Sequence, residues 1–463
     1  MRSEEKDSRD VRQIGGKGDA LHRNEKRIID FLDGFSLDGL PPDVINEAKR
    51  AVLDTLGCMI AGIDTPLGEK LRRLAEGYAD KRGARVLGME QPAASFMAAM
   101  CNSYMANAHD ADDGHRRSRL HAGGIIIPSA MAAGETSECN GKAFLEAVIL
   151  GFELGHRAGM ATTAMETYYG SAMGSTFGAA ATAGRLMGLT AGQILDAMGI
   201  AEMQAPNCML MGWVETRKIP MIKEGMGWSA ASSLMSAAMA QAGITGTLTI
   251  FNGHEQISEI EKLGREYEIL RRYYKPCPGC RWAYVPLQIL KDLMAKHGIG
   301  AKDVEEITVR TMDQAVTLDN PEPTTMEDAQ YSIPFMLAAT LVDGAFGPDQ
   351  MRAEKLSDRA ILALARRVKL ELEPEFDMTV PGMVKSEVEV KTRSGRVYIE
   401  RNQKVKGDED FPLSDDEIKD KFIWLSRNRL SRKQALVLID DVWSMASLRR
   451  IGDFMSSLHA MTR

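Results

Sequence analysis

The sequence predicts a mainly α protein: a large all-helical domain, discontinuous in the chain, with a smaller α+β domain inserted into it. Three observations carry that expectation. From Pro41 to Ala242 apolar residues recur at the spacing of one helix face. After about residue 272 the pattern changes to short alternating segments rich in Val, Ile and Thr, the period-two signature of strands. From Ser414 onward helical spacing returns. The expected organisation is a disordered tail over 1–26, the helical domain over 27–271, the α+β domain over 272–405, and C-terminal helices over 406–463 that rejoin the helical domain. A chain of 463 residues can bury a sizeable core in such an arrangement.

Taken in order, the tail mixes acids and bases without an apolar run, so it reads as solvated chain and not as a secretion signal. Pro41–Gly62 has prolines at its start, apolar residues on one face and glycines near its end, as a helix should. Helices are expected over Glu69–Asp80, Phe96–Ala106 and Phe144–Met160, the last carrying Glu153, His156 and Arg157, whose polar groups are expected to satisfy one another. Gly170, Gly174, Gly178, Gly184 and Gly188 then fall among alanines, and small residues at helical spacing let helices approach closely. This stretch lacks the Gly-Lys-Ser/Thr ending and the preceding strand of a phosphate loop. Thr190 followed by Gln193 is a capping-box start for a helix to Gln204. Ser229–Ala242 and Leu287–His297 are further helices. Strands are expected over Val304–Thr311, Arg367–Leu372, Lys385–Thr392 and Val397–Glu400, the last two joined at Ser394-Gly395, with a helix over Ile333–Val342. Ser414–Phe422 and Ser431–Met445 close the chain as helices.

Three polar segments interrupt this scaffold. Between His109 and His121 the chain has three aspartates, three histidines and three arginines, flanked on both sides by Ala-rich helical sequence. A loop held by two packed helices can present acid, base and anion-binding groups in fixed geometry; the alternative is a solvated connector whose charges face water. The second segment, Trp213–Trp228, places Lys223 shortly before a helix start, where backbone N–H groups and the dipole favour an anion. A surface lysine is the alternative there. The third, Tyr274–Pro286, contains Cys277-Pro-Gly-Cys280. No second ligand pair stands at zinc spacing and no thioredoxin-like context surrounds it, so a turn centred on Pro278-Gly279 is expected in place of a metal or redox site.

A formal net charge of −7 argues against nucleic-acid or anionic-membrane partners. No apolar run approaches the roughly 18 residues that span a bilayer. Six scattered cysteines fit a reducing, cytoplasmic setting.

The order of these segments resembles the MmgE/PrpD family. The resemblance rests on Leu53-Asp-Thr-Leu-Gly-Cys58, Asp110-Ala-Asp-Asp-Gly-His115 with the later His121, the Gly/Ala helix ending in Arg185-Leu-Met-Gly-Leu189, Gly243-Ile-Thr-Gly246, and Lys275-Pro-Cys-Pro-Gly-Cys-Arg-Trp282. It covers roughly residues 27 to 445. It implies a helical domain with an α+β lid, an active site in the cleft between them, and a homodimer. It also implies catalytic roles for Asp110, His121, Lys223 and Lys275, and an aromatic site position at Tyr331. The chain departs from the family pattern at His121-Ala122, where His-Pro is common, and at Tyr284 and Tyr168-Tyr-Gly-Ser171, where histidines are common. Those departures remove groups that titrate near neutrality and bear on substrate identity.

The residues agree with that chemistry. Removing a proton next to a carboxylate needs a base, together with cations to hold the developing charge. Asp110 and His121 are the candidate acid–base groups; Lys223, Lys275 and Arg281 are candidate clamps. Asp113, His115, Tyr284, Tyr331 and Tyr168 join Arg281 as candidate substrate contacts. The expectation is a lyase for a di- or tricarboxylate that needs no metal or cofactor, with dehydration of a 2-methylcitrate-like hydroxy-acid first and decarboxylation or epimerisation as alternatives. A binding protein that kept the fold without the chemistry is the reading of another class. It gains if the four catalytic candidates fail to converge.

Overall fold

The computed structural model describes residues 11–163, 172–206, 212, 214, 216–251, 257–376 and 384–463. It is mainly α, and it is built around the helix Pro42–Ile63. Pro42 sits in the first turn, where its missing N–H leaves no helix bond unmade. Every residue from Ala51 to Ile60 is buried, so this helix is packed on all sides. Ser95–Asn107 crosses it so closely that a Cβ at Gly62 would overlap the Met105 carbonyl. Gly123–Thr136, Gly141–Thr163, Ala172–Leu186, Ala191–Gln204 and Met226–Gln241 complete the surrounding layers. The small-residue stripe does what its spacing implies: a Cβ at Gly178 would strike the Gly151 carbonyl of the neighbouring helix.

One apolar core runs from Ile28 to Tyr274 and takes in Leu413 to Leu458; the other runs from Val214 to Val405. The chain thus leaves the first core and comes back. Phe422, on the helix Asp415–Ser426, packs against Gly57 in the middle of Pro42–Ile63. The second core lies under a four-stranded sheet in the order Val368–Leu372, Val304–Thr311, Ser386–Thr392, Val397–Asn402. The first pair is parallel and the other two antiparallel, the last closed at Gly395 with a φ of 84°. Tyr284–His297 and Ile333–Asp343 supply its helices. No helix among the described residues is long and apolar enough to cross a membrane.

Two expectations are corrected. A helix, Val11–Gly34, begins inside the stretch expected as a disordered tail. Its end is tied down by buried Ile28 and Leu32 and by a 2.8 Å bond from Asn24 Nδ2 to the Phe251 carbonyl. The helix expected over Glu69–Asp80 is Pro66–Glu76, because Thr65 caps it by accepting from the Gly68 N–H. The chain then leaves as the short strand Ala79–Ala84.

Candidate active site

The charged loop is not a solvated connector: Asp110, Asp112, Asp113 and His115 are all buried. Its shape follows from where its side chains bond. Asp110 turns the chain out of helix Ser95–Asn107 with a φ of 53°, a conformation aspartate tolerates better than most residues. Asn107 Nδ2 donates to Asp112 Oδ1 at 3.0 Å. Asp113 Oδ1 accepts from the Gly123 N–H at 3.0 Å, where a carboxylate complements the start of the next helix. Its other oxygen pairs with Arg272 at 3.1 Å. Gly114–His115 forms a two-residue ladder with Arg272–Tyr273, which brings Lys275 to the loop.

Lys275 Nζ lies 2.5 Å from Asp110 Oδ1 and 3.0 Å from the Asp110 carbonyl. The Gly279 N–H, in the Cys277–Cys280 turn, donates to that same carbonyl at 3.0 Å. Gly279 has a φ of 104°, so the Pro-Gly turn forms as expected, and it serves as part of the wall. Lys223 Nζ donates to Gln330 Oε1, and Gln330 Nε2 reaches back to the Ala108 carbonyl at 2.9 Å. Lys223 Nζ is also 5.8 Å from the centre of the Tyr331 ring. His121 Nδ1 lies 2.7 Å from the Asp113 carbonyl and 3.8 Å from Asp112 Oδ2. A carbonyl only accepts, so Nδ1 carries a proton and Nε2 is the atom left to take one in the neutral ring. Ligand atoms of Asp110, Asp112 and His121 come within 4.8 Å of one another. The Lys275 ammonium contacts the Asp110 member of that group.

Electrostatics follow from burial and these pairings. Burial alone would raise the Asp110 carboxyl, but Lys275, Lys223 and His121 outweigh it and hold the group well below the usual carboxylate range. Burial would lower Lys275, and the carboxylates of Asp110 and Asp112 push it up instead. Burial, reinforced by Lys223, pushes His109 down to about 4, so that imidazole is neutral at pH 7. The structure therefore brings Asp110, His121, Lys223, Lys275 and Tyr331 together from four separate segments.

The remaining expected site residues fall differently. Asp113, His115 and Tyr284, expected to contact substrate, direct their polar atoms into the protein. Tyr284 OH donates to the carbonyls of Cys277 at 2.5 Å and Gly279 at 2.8 Å, bracing the turn. His115 bonds Glu268 and Ser118. Arg281 pairs with Asp408 at 2.5 Å and covers the Tyr273 ring. Tyr168 lies outside the described residues. Of Glu153, His156 and Arg157, expected to satisfy one another, Glu153 and Arg157 do so at 2.6 Å, but His156 does not join them: its Nδ1 lies 3.1 Å from Ser118 Oγ. Gln330 and Arg272 belong to the site without a motif of their own. Gln330 stands directly before Tyr331, and Arg272 three residues before Lys275, which is the only signal the sequence offered for either.

Fold and site together define a mainly α protein with a mixed four-stranded sheet and a buried acid–base cluster in which lysines face carboxylates. A family model of the MmgE/PrpD N-terminal domain matches residues 26–268, and one of the MmgE/PrpD C-terminal domain matches residues 278–445. The chain belongs to the MmgE/PrpD family. Among its relatives, a cis-aconitate decarboxylase of Aspergillus terreus is 26% identical over 93% of this chain and 95% of its own. The cis-aconitate decarboxylase of Mus musculus is 22% identical over 90% of each chain. The Homo sapiens protein of the same name is 21% identical over 84% of this chain and 85% of its own.

Proposed function

We propose that this protein is a lyase acting on small polycarboxylic acids by moving a proton at a carbon next to a carboxylate. The observation that carries the reading is the buried Asp110–Lys275 pair at 2.5 Å, flanked by His121 and by Lys223 on its neutral amide partner. Lys223 donates to an uncharged amide oxygen, a partner that a substrate carboxylate can replace. His121 Nε2 is the proton-transfer atom, and Asp110 with Lys275 sets the field around it. Tyr331 closes the wall beside Lys223.

Decarboxylation of a cis-aconitate-like acid is the first reaction we assign, on the strength of relatives that match along nearly the whole chain. In that reaction the bond to the departing carboxylate breaks and CO2 leaves. The electron pair of that bond forms a double bond to the adjacent carbon, and the pair of the former double bond shifts to the carbon next to a retained carboxylate. That carbon then takes a proton from Nε2 of a His121 ring that has first been protonated from solvent, while Nδ1–H stays on the Asp113 carbonyl. Dehydration of a 2-methylcitrate-like acid uses the same groups in the opposite sense: neutral His121 removes the proton at Nε2, and the hydroxide takes a second proton from solvent and leaves as water. We further read 27–271 with 406–463 as a helical domain and 272–405 as a lid over the cleft, in a cytoplasmic homodimer. Exposed Trp228, Met235 and Ile244 support a second copy as the partner, being large apolar side chains on or directly after the helix Met226–Gln241.

The test is to incubate the protein with cis-aconitate, citrate and 2-methylcitrate in deuterated water and follow products by NMR. Turnover with deuterium at the carbon next to a carboxylate is expected, lost at least about 100-fold in Lys223→Met. No turnover and no exchange across the panel overturns the enzymatic reading in favour of a binding protein.

A further inference from the structure

Beneath the loop lies a second cluster of titratable groups that the proposed reaction does not use. His115 Nε2 is 3.2 Å from Glu268 Oε2, His115 Nδ1 is 2.9 Å from Ser118 Oγ, and Ser118 Oγ is 3.1 Å from His156 Nδ1. The two imidazoles stack with centres 4.2 Å apart. An acid, a histidine and a serine in line are also the parts of an acyl-transfer site. Here Ser118 is 2% exposed, His115 1%, and both His156 and Glu268 0%, so no substrate reaches the hydroxyl.

The proton positions can be worked out. The Ser118 N–H donates to His115 Nδ1 at 3.1 Å, so that nitrogen carries the lone pair and His115 Nε2–H points at Glu268. Glu268 is held down at about 2: burial would raise it, but the bond from His115 and the charges around it prevail. His156 Nε2 is buried and has no partner among the described residues. An unpaired buried N–H is rarer than an unpaired acceptor, so His156 places its proton on Nδ1 and gives it to Ser118. Carrying an unsatisfied polar atom in a fully buried site destabilises the protein. Phenylalanine would fill the same space beside Phe152 without it.

The chain reaches His121 through few links. His115 N–H donates to the Leu120 carbonyl at 3.0 Å, one residue before His121. Ser118 and Leu120 rest on Gly159, where a Cβ would lie 2.7 Å from Leu120 Cδ1 and 2.8 Å from Ser118 Cβ. Arg119 turns with a φ of 57° between them. The arch from Asp113 to His121 is thus fixed at its ends by His121 and Asp113, and from inside by this network.

We propose that His156, Ser118, His115 and Glu268 are positioning residues that set the His121 ring for proton transfer, at the expense of stability. The proposal rests on the proton-transfer role assigned to His121 above. In His156→Phe the melting temperature is expected to stay level or rise, while kcat falls about 10- to 100-fold, the scale of a small misplacement of a reacting group, with KM within about twofold. Ser118→Ala is expected to lower kcat in the same direction. Folded variants with unchanged kcat overturn the proposal, as does a His156→Phe protein that loses stability along with activity. Selective 15N-histidine labelling reads the network independently: His115 protonated on Nε2, His156 on Nδ1, and a displaced His121 signal in His156→Phe. If the parent turns over no substrate, the reaction is wrong, and the His121 signal alone decides: movement supports the network, and an unmoved signal sinks it.

Discussion

Lys275→Met removes one side of a pair that the fold buries completely. Asp110 then keeps its carboxylate inside the protein without the ammonium at 2.5 Å, though Lys223 and His121 remain nearby. Breaking a buried ion pair by deleting one partner typically destabilises by about 3–5 kcal/mol, and the residual cations place this case near about 3 kcal/mol. The pH dependence has a definite sign. In the parent, Asp110 is held below its ordinary value, so its contribution is present above an unfolded carboxyl pKa of about 3.9 and is lost as pH falls through the folded value. Lys275 is raised, so its contribution is present below about 10.4 and is lost as pH rises through the folded value. In the variant, burial dominates Asp110 and moves it upward, so protonation relieves the penalty. The stability gap between parent and variant should therefore narrow from pH 8 to pH 4.5. Asp110→Asn combined with Lys275→Met should recover most of the loss while remaining inactive, since a neutral amide tolerates the site but cannot set its field. Urea unfolding followed by tryptophan fluorescence at several pH values measures this. A variant as stable as the parent at pH 7.5, or a gap that widens toward pH 5, refutes the reasoning.

Trp228→Lys with Met235→Glu should convert a dimer to a monomer of 50.9 kDa in light scattering, without loss of helical circular dichroism; a parent that is already monomeric removes the reading of that face. Cys280, whose thiol burial pushes up to about 12, should resist iodoacetamide at pH 7.5 in the native protein and react only on unfolding. Rapid native labelling, followed by peptide mass spectrometry, would count against the closed Cys277–Cys280 turn.

What the sequence made legible was whatever is written locally. Thr190 with Gln193 forms the expected capping box, the helices expected to open at Ser414 and Ser431 do so, each on a capping box of its own, and the alternating strands pair across Gly395. Helix starts slipped where the cap was less obvious, as at Thr65-Pro66. Side-chain partners across long separations were not legible, because they have no period: Lys223 meets Gln330 at a separation of 107 residues, and Arg272 meets Asp113 at 159. For the same reason Tyr284 was assigned to substrate by its place in the chain. Its hydroxyl is instead committed to two carbonyls that no local pattern reveals.

Density of charge drew attention to residues 109–121, but it could not separate structural from reactive groups; hydrogen-bond saturation does. Asp113 has both oxygens engaged, by Gly123 and Arg272, and His115 has both nitrogens engaged, by Ser118 and Glu268. Such groups hold shape and have little capacity left for a ligand. Asp112 Oδ2 and His109 Nδ1, on either side of Asp110, are buried and make no hydrogen bond among the described residues, Asp112 Oδ2 having only the longer contact with His121. Each destabilises the fold by about 1–3 kcal/mol unless something supplies the missing bond. Native proteins keep few such atoms, and those they keep concentrate where function demands them. The unspent bonding capacity of this loop therefore lies beside the Asp110 carboxylate and the His121 ring, and the saturated capacity lies underneath. That division makes the upper residues the ones to test for chemistry, and the lower ones for their effect on where the chemistry is held.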